Sequence, residues 1–255
     1  IFRRDGITVT RFLFGLPLPN RILILQADLS NPAVAVRVVA TPDPDADGPA
    51  QGVLTHPIDL AKQARCLWLV NANPFAPVSE GGHRYWHRSM PVIMQGLSVD
   101  TGHKQSPDQD GHVPFWLADD GTAHIGGPVP AEGVRQGIAG FGWLVKQGTI
   151  DIAQEETRHP RTAVGLDATG RILTIAIVDG RQPGFSEGLT EYELAMGMRA
   201  LGCDNAINLD GGGSTILIQG DGADYRILNS PSDRILGIST VRPIPNALTI
   251  SLNEK

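Results

Sequence analysis

The residues best suited to chemistry lie in one segment, Asn208–Thr215, which reads Asn-Leu-Asp-Gly-Gly-Gly-Ser-Thr. An apolar run predicts a strand that delivers Asp210 at its end. Glycines let a ligand approach the main chain closely, and successive amides can form an anion-binding nest. A carboxylate beside such donors suits a reaction in which a sugar carbon becomes positive while a phosphate departs. The alternative is a glycine-rich hairpin with an exposed Asp. The predicted binding set after Asp210 is Gly211, Gly212, Gly213, Ser214 and Thr215.

A predicted hairpin supplies a second group of polar residues. Strands at 162–166 and 171–178 flank an Asp-Ala-Thr-Gly turn, which is a strong hairpin signal. Arg161 and Asp179 stand at its open end, where residues of the two strands lie close together, so we predict that they are neighbours. The planar donors of Arg161 fit a phosphate or a carboxylate, although the pair could equally be a structural ion pair. Arg181, two residues after Asp179, is predicted to contact substrate.

The segment Thr190–Leu201 predicts a helix that Gly202 ends. Its start, Thr190-Glu-Tyr-Glu193, fits a capping box, in which the Thr side chain and the Glu side chain satisfy main-chain amides reciprocally. Helix starts also favour anions, so Thr190 and Glu193 are kept as candidate substrate contacts.

The elements around these residues are mainly short strands. With 30 Gly and 19 Pro, the chain favours short elements and long loops. Alternating apolar runs at 22–25 and 34–40 predict strands paired through a turn at Asn31-Pro32, and 57–64 predicts a helix with Pro in its first turn. Further strands are predicted at 66–70, 206–209, 215–218 and 225–228. We therefore predict a single α+β domain over 1–255, with a mixed, largely antiparallel sheet, few helices and a possible boundary between two lobes near 126–130.

Residues 76–130 carry no clear periodicity and mix Gly, Pro, His and Asp with scattered aromatics. Unstructured stretches of this length in a compact domain are usually functional loops. We predict a long loop region on the substrate side, with a variable surface insertion as the alternative.

The composition and the apolar runs argue against a nucleic-acid partner and against a membrane-spanning segment. The formal net charge is −6 and no block of Lys or Arg occurs, which argues against a nucleic-acid partner. No apolar run approaches the roughly 20 residues that span a bilayer. The chain begins at Ile1 rather than Met, and a secreted or periplasmic location is predicted. Cys66 and Cys203 could form a disulfide or remain buried free thiols. Nothing in the sequence indicates the oligomeric state.

No metal or other cofactor is predicted. Asp43-Pro-Asp-Ala-Asp-Gly48 imitates the front of a calcium loop, but Leu54 stands where such a loop requires Glu. A solvated acidic turn is favoured over a calcium site.

Four motifs occur in register in the second half of the chain: Arg161-Thr-Ala-Val-Gly, Val178-Asp-Gly-Arg, Gly188-Leu-Thr-x-x-Glu-Leu-Ala and Asn208–Thr215. Their order and spacing resemble the phosphodiester glycosidase family. The resemblance is dense over residues 138–218 and looser over Val70–Phe75, where Asn-Pro-Phe replaces the more usual paired aromatics. It implies hydrolysis of a sugar-1-phosphodiester.

From this resemblance we assign roles as hypotheses. Asp210 is the nucleophile or the base that activates water, and Arg161 holds phosphate oxygens. Asp179 orients Arg161 or serves as the second carboxylate usual in glycosyl transfer chemistry. Asn71 and Asn73 bind sugar hydroxyls. Two alternatives remain open: an ordinary glycosidase acting on a polysaccharide without phosphate, and a non-catalytic carbohydrate-binding envelope protein.

Overall fold

The computed structural model describes residues 2–46, 48–78 and 85–253. In chain order, the strands up to the middle of the chain are β1 (Phe2–Arg4), β2 (Ile7–Phe14), β3 (Asn20–Asp28), β4 (Val34–Ala40), β5 (Gly52–Val53), β6 (Trp68–Asn71), β7 (Phe75–Pro77), β8 (Pro91–Met94), β9 (Ser98–Asp100), β10 (His103–Ser106), β11 (Val113–Ala118) and β12 (Ala123–Ile125). The remaining strands are β13 (Val134–Gly140), β14 (Gly142–Val145), β15 (Arg161–Leu166), β16 (Ile172–Val178), β17 (Asn205–Asn208), β18 (Leu217–Gly220), β19 (Tyr225–Ile227), β20 (Arg234–Ile235), β21 (Ile238–Ser239) and β22 (Asn246–Leu252). The α-helices of the described residues are α1 (Pro57–Ala64) and α2 (Glu191–Ala200).

Three large sheets organise the protein. One has seven strands in the order β1-β2-β3-β16-β15-β17-β14, and two have five strands, in the orders β19-β18-β6-β22-β4 and β10-β9-β13-β11-β12. We call them the long sheet, the central sheet and the outer sheet. A three-stranded sheet, β5-β8-β7, and the hairpin β20-β21 complete the described part of the chain. Every strand pairing within it is antiparallel.

The three large sheets share one apolar core. Leu25, Trp68 and Phe115 represent the long, central and outer sheets in that core, and all three are almost completely buried. Strand β16 is buried along nearly its whole length and is apolar except for Thr174, because its other face is covered too, by helix α2. Helix α1 covers the far face of the central sheet in the same way.

Local signals fix the two helices as predicted. Helix α1 begins with Pro57, and the His56 side chain accepts from the Ile58 amide. Helix α2 has the complete capping box, with Thr190 as its cap. The predicted hairpin is also confirmed, because β15 pairs with β16 in the register Arg161 to Val178. The α+β class with few helices and largely antiparallel pairing is thus correct.

The predicted pairing of 22–25 with 34–40 is wrong. Both segments are strands, but β3 pairs with β2 and β16, whereas β4 pairs with β22 in another sheet. The Asn31 carbonyl does accept from the Val34 amide. The turn therefore forms, and the chain uses it to cross between sheets rather than to fold back.

Residues 76–130 are not one long loop. The described part of this segment contains most of β7 and the whole of β8 to β12. Their runs are too short, at three to six residues, to show periodicity in the sequence. Two lobes are not confirmed either, since β12 and β13, on either side of 126–130, both pair with β11.

The two cysteines are buried free thiols. Cys66 packs with helix α1 and Cys203 packs with helix α2, in separate apolar clusters. Burial raises the pKa of Cys66 to about 12 and that of Cys203 to about 11. Neither helix in the described residues has the length and apolar character needed to cross a bilayer.

Candidate functional site

Asp210 is the second residue after the end of β17, where the long sheet meets the central sheet. Its amide donates to the Ala72 carbonyl at 3.1 Å, and its carbonyl accepts from Asn71 Nδ2 at 2.6 Å. Because Ala72 and Asn71 come from the end of β6, the central sheet holds the main chain on both sides of the Asp210 side chain. Two sheets therefore fix the position of this residue.

The three glycines after Asp210 form a tight turn, with a short 3-10 helix at Gly212–Ser214. Gly212 has φ of +57°, and a Cβ there would lie 2.9 Å from Arg181 Nη1. The glycine is therefore needed both for its conformation and for the close approach of the guanidinium. Gly213 lies against the Asp233 carboxylate.

The turn's amides are used differently from the prediction. The Gly211 amide donates to Asp210 Oδ1 at 3.0 Å, and that of Gly212 donates to the Pro160 carbonyl at 2.9 Å. Those of Ser214 and Thr215 donate to carbonyls within the turn. These four amides stabilise the turn and do not form the predicted nest for an external anion.

The environment of Asp210 raises the pKa of its carboxyl group. The residue keeps limited contact with solvent, but its carboxyl group is surrounded by protein atoms, and this burial raises the pKa from 3.8 to about 6. The Ser214 hydroxyl, Arg242 and the Gly211 amide oppose the shift, while the charge of Asp233 adds to it. The buried Ser214 Oγ has no hydrogen bond of ordinary geometry among the described residues. Its closeness to Asp210 still favours the charged carboxylate.

Two arginines flank this carboxyl group. Arg242 pairs with Asp233 through two bonds, Nε–Oδ2 at 2.8 Å and Nη2–Oδ1 at 3.0 Å. Arg181 forms no ion pair with any described residue. Its Nε and Nη2 lie 3.3 and 3.1 Å from His159 Nδ1. Burial and the nearby Arg242 charge lower the pKa of Arg181, so this guanidinium would gain from a bound anion.

The His159 ring is suited to accept from Arg181. Burial and the charges of Arg181 and Arg161 lower the pKa of His159, which favours the neutral ring at pH 7. A neutral ring has one acceptor nitrogen, and here Nδ1 faces the guanidinium. His159 therefore aims Arg181 at the glycine turn without adding a competing charge.

A cavity of about 240 Å³ adjoins the Arg242–Asp233 pair. Tyr85 and Trp86 line one side, and the β20–β21 hairpin lines the other. The Trp86 ring is supported edge-to-face by Phe75, with centroids 4.8 Å apart. The cavity thus places an aromatic surface next to the charged cluster.

Arg161 and Asp179 are not partners. Arg161 is opposite Val178 in the hairpin, and Val178 packs with the helix α2 cluster, so Asp179, one residue further on, points to the other face of the sheet. The buried Arg161 guanidinium instead donates to Glu191 at 2.9 Å, to Glu155 at 3.1 Å and to the Leu189 carbonyl at 3.2 Å. Its donors are directed at the protein rather than at the glycine turn.

Asp179 is also bound within the protein. Asp179 Oδ1 accepts from the Ser230 amide at 2.8 Å and from Asn229 Nδ2 at 3.1 Å. Burial raises its pKa. Asn229 also donates to the Thr215 carbonyl at 3.0 Å. Asp179 therefore supports the segment after the glycine turn.

The two asparagines predicted to bind sugar are occupied by main-chain and side-chain partners within the protein. Asn71 Oδ1 accepts from Thr162 Oγ1 and from the Ile216 amide. Asn73 Nδ2 donates to the carbonyls of residues 95 to 97, while its Oδ1 accepts from Ala139 and from Asn246. These amides connect sheets and have little capacity left for a ligand.

The remaining predicted contacts are structural as well. Thr190 and Glu193 satisfy each other's amides at 3.0 and 3.1 Å in the capping box. Glu193 also pairs with Arg158. Thr215 is buried, with its hydroxyl 3.5 Å from that of Thr162. Of the predicted set, Asp210, Arg181, Ser214 and the glycines Gly211, Gly212 and Gly213 lie together around one turn.

The candidate calcium loop includes Asp47, which lies outside the described residues. Asp43 Oδ1 accepts from the amides of Asp45 and Ala46, as in an ordinary acidic turn. No group of three or more His, Cys, Asp or Glu side chains in the described residues is arranged to hold a metal ion.

His159, Asp233 and Arg242 were not predicted as site residues. His159 and Arg242 belong to short motifs, His159-Pro-Arg and Arg242-x-x-x-Asn, that could have indicated them. Asp233 has no comparable signal, because its role depends on contacts with Arg242 and with the distant Gly213.

Fold and site together define an antiparallel α+β protein in which an acidic group and two guanidinium groups surround one glycine turn. The family model for phosphodiester glycosidases matches residues 64–251. The chain belongs to the phosphodiester glycosidase family.

Individual relatives agree with this assignment. The SPbeta prophage-derived uncharacterized protein YomE of Bacillus subtilis (strain 168) is 34% identical over 212 residues, which cover 76% of this chain and 29% of that protein. The N-acetylglucosamine-1-phosphodiester alpha-N-acetylglucosaminidase of Mus musculus is 33% identical over 123 residues, which cover 41% of this chain and 22% of that protein. The matches thus span less than a third of each relative.

A solved structure has the same fold. The catalytic domain of zebrafish N-acetylglucosamine-1-phosphodiester alpha-N-acetylglucosaminidase, auto-inhibited by its pro-peptide, aligns with a TM-score of 0.70 and 23% identity. The alignment covers 98% of this chain and 82% of that one.

Proposed function

We propose that the protein hydrolyses a sugar-1-phosphodiester and releases the sugar from a phosphate that stays on its acceptor. One observation carries the proposal: Asp210, with a pKa raised to about 6, lies at a glycine turn within the electrostatic influence of Arg181 and Arg242. Membership of the phosphodiester glycosidase family supports it, as does the activity in the name of the mouse relative.

The phosphate is held by Arg181. This guanidinium makes no direct ion pair with any described residue, although the charges of Asp233 and Asp210 are nearby, and it is aimed at the turn by His159. Arg242 adds positive charge near Asp210, although Asp233 already neutralises part of it. Guanidinium groups bind phosphate oxygens in a planar, paired geometry. In this proposal, Arg181 and Arg242 bind the phosphate, a role that was predicted from the sequence for the turn amides and Arg161.

Asp210 acts on the sugar carbon or on the attacking water. In the water route, the water oxygen bonds to C1 and its proton passes to the Asp210 carboxylate. The bond between C1 and the oxygen that links C1 to phosphorus breaks. The leaving phosphate monoester keeps the electron pair. In the covalent route, the carboxylate itself bonds to C1 and water then releases the sugar. A pKa near 6 keeps the carboxylate ionised at neutral pH and basic enough to accept a proton.

The sugar ring is assigned to the cavity beside Arg242. Trp86 presents an aromatic surface there, and Phe75 supports it from behind. Apolar faces of sugar rings pack on such surfaces, while their hydroxyls bind polar side chains. The identity of the sugar depends on this cavity, so N-acetylglucosamine is a test substrate here rather than an assigned one.

The test is hydrolysis in ¹⁸O-labelled water of UDP-N-acetylglucosamine, methyl phosphodiesters of several sugar 1-phosphates, and nitrophenyl glycosides. We expect turnover of at least one phosphodiester with the label in the sugar. Proton NMR of the first-formed anomer separates the water route from the covalent route. Label in the phosphate, or turnover of nitrophenyl glycosides alone, would contradict the proposal, and the latter would favour an ordinary glycosidase. Absence of turnover of every compound by folded protein would contradict it as well.

Two variants test the assigned roles. Asp210→Asn and Arg181→Ala should each lower kcat/KM by about 10²-fold or more. The matched controls are Asp221→Asn and Arg226→Ala, at exposed positions on the β18–β19 hairpin, and they should keep full activity. The pH profile of kcat/KM should rise through about pH 6 as Asp210 ionises. Full activity in Asp210→Asn would remove its role.

The secreted or periplasmic location stays a prediction. Fractionation of the native host by osmotic shock, with a cytoplasmic marker enzyme as control, tests it. Protein found only with the cytoplasmic marker would contradict it.

A further inference from the structure

A large cavity of the described residues lies away from Asp210. It has a volume of about 810 Å³ and is bounded on one side by the Asp167–Gly170 turn of the β15–β16 hairpin. Asp210 lies near the other, open end of that hairpin. Asn205, at the start of β17, lines the cavity, and Asp210 follows five residues later, a span of about 17 Å in an extended chain. The cavity shares no lining residue with the proposed catalytic site.

Trp143 provides a fixed aromatic wall in this cavity. It lies on β14, is partly exposed, and packs against the main core on its inner side. Gly126 has φ of +69°, and a Cβ there would collide with the Trp143 ring. The glycine therefore lets the indole lie close to the main chain. Lys146 Nζ is 5.3 Å from the ring centroid and forms no ion pair with any described residue.

Two imidazoles add hydrogen-bonding capacity to the same cavity. The His124 ring stacks on Trp116 with centroids 4.0 Å apart, which holds it in place. His112 Nδ1 is buried and has no hydrogen-bond partner in the described part of the chain. Buried polar atoms normally have a partner. His112 Nδ1 is thus an unused hydrogen-bonding atom in a residue that lines the cavity.

The charges of the cavity favour a neutral ligand over an anionic one. Asp108, Asp110 and Asp167 line it, against the single fixed cation Lys146. Asp167 is already bound by its own turn, through the amides of residues 171 and 172. Carboxylates are strong acceptors for hydroxyl groups, and an aromatic wall binds an apolar face. A neutral ligand with many hydroxyls and an apolar face meets both conditions.

We propose that this cavity is a second binding site, which takes neutral sugar units of a polysaccharide. Trp143 stacks on a sugar ring, while Asp108, Asp110 and the two imidazoles bind its hydroxyls. The site is separate from the Asp210 centre and does not depend on the hydrolytic reaction. It would hold the protein on a glycan chain at a point other than the bond being cleaved.

The experiment measures binding and turnover separately. Affinity electrophoresis through gels that contain dextran, mannan or soluble glycol chitin reports binding of Asp210→Asn, which keeps this cavity and prevents degradation of the probe. Trp143→Ala in that background should weaken binding to at least one polymer by about tenfold, the loss expected for one stacked ring. Ala168→Tyr should do the same, because Ala168 is exposed on the turn and lines the cavity, so a ring there would fill the cavity without disturbing the core.

Controls separate this site from folding and from catalysis. Phe14→Ala removes an exposed aromatic on β2 that does not line the cavity, and it should leave polymer binding unchanged. With Asp210 restored, Trp143→Ala and Ala168→Tyr should turn over UDP-N-acetylglucosamine, or whichever small phosphodiester proves active, at the parent rate. The proposal is overturned if the parent protein shows no saturable retardation by any of the three polymers. It is also overturned if Ala168→Tyr binds as tightly as the parent. The two proposals can also fail separately. If Trp143→Ala and Ala168→Tyr both lose polymer binding while the parent protein hydrolyses no phosphodiester, the second site is supported and the proposed hydrolysis is refuted.

Discussion

Replacing Asp210 with Asn should make the folded protein more stable at neutral pH. Burial raises the pKa of the carboxyl group from 3.8 to about 6. Between these values the folded protein keeps a proton that the unfolded chain releases, so the contribution of this group to stability falls as the pH rises through about 6. Asn imitates the protonated acid, and its Oδ1 can still accept from the Gly211 amide.

The size of the effect follows from the shift. A change of about two pKa units corresponds to about 3 kcal/mol, and this is the largest gain that Asp210→Asn can give at pH 8. Near pH 4 the gain should be close to zero, because the folded wild-type protein is protonated there and the unfolded carboxyl is about half protonated. With an unfolding entropy of about 2.1 cal/mol/K per residue, the increase in Tm at pH 8 is about 6 °C.

Urea unfolding at pH 4 to 8, followed by tryptophan fluorescence, measures this difference directly. Asp221→Asn is the control. Asp221 is exposed, and hydrogen bonds from the amides of Asp224 and Ala223 lower its pKa, so its replacement should give no gain that grows with pH. Equal stability of Asp210→Asn and the wild type at pH 8, or a gain of the same size at pH 4, would refute the account. A variant that is more stable and inactive would show that the carboxylate is retained for chemistry.

Two further substitutions test residues that were predicted to contact substrate but are hydrogen-bonded within the protein. Arg161→Ala should lower the free energy of unfolding by about 2 kcal/mol or more, because Glu155 and Glu191 lose their shared cation. Arg161→Lys should lower it less. A change within about 0.5 kcal/mol in urea unfolding would be no more than an ordinary surface effect and would contradict this prediction. Asn73→Ala should cost about 3 kcal/mol, since it leaves several buried main-chain groups without partners, whereas a purely sugar-binding Asn73 would raise KM and leave the unfolding curve unchanged.

Features with local causes were predicted well. The turn at Asp167–Gly170 and the capping box at Thr190 each depend on residues a few positions apart. Such signals can be recognised in a short stretch of sequence, and both elements are found where they were predicted.

Features with distant causes were not predicted. The pairing of β3 with β16 rather than β4 depends on the whole sheet, and no turn residue specifies it. The same is true of the site. The register of the β15–β16 hairpin places Arg161 and Asp179 on opposite faces of the sheet, but this register cannot be read from the sequence. Asp233 joins the site through contacts with residues far along the chain, at Gly213. Side-chain roles at the junction of sheets therefore required the fold.

The two buried thiols have a practical consequence for the protein's chemistry. A thiol reacts with oxidants and disulfides through its thiolate, and with pKa values of about 12 and about 11, Cys66 and Cys203 hold almost no thiolate at neutral pH. Because they pack in different clusters under different helices, folding needs no redox partner. The folded protein is therefore expected to resist mild oxidants and thiol reagents at neutral pH, and it can be assayed with or without a reducing agent.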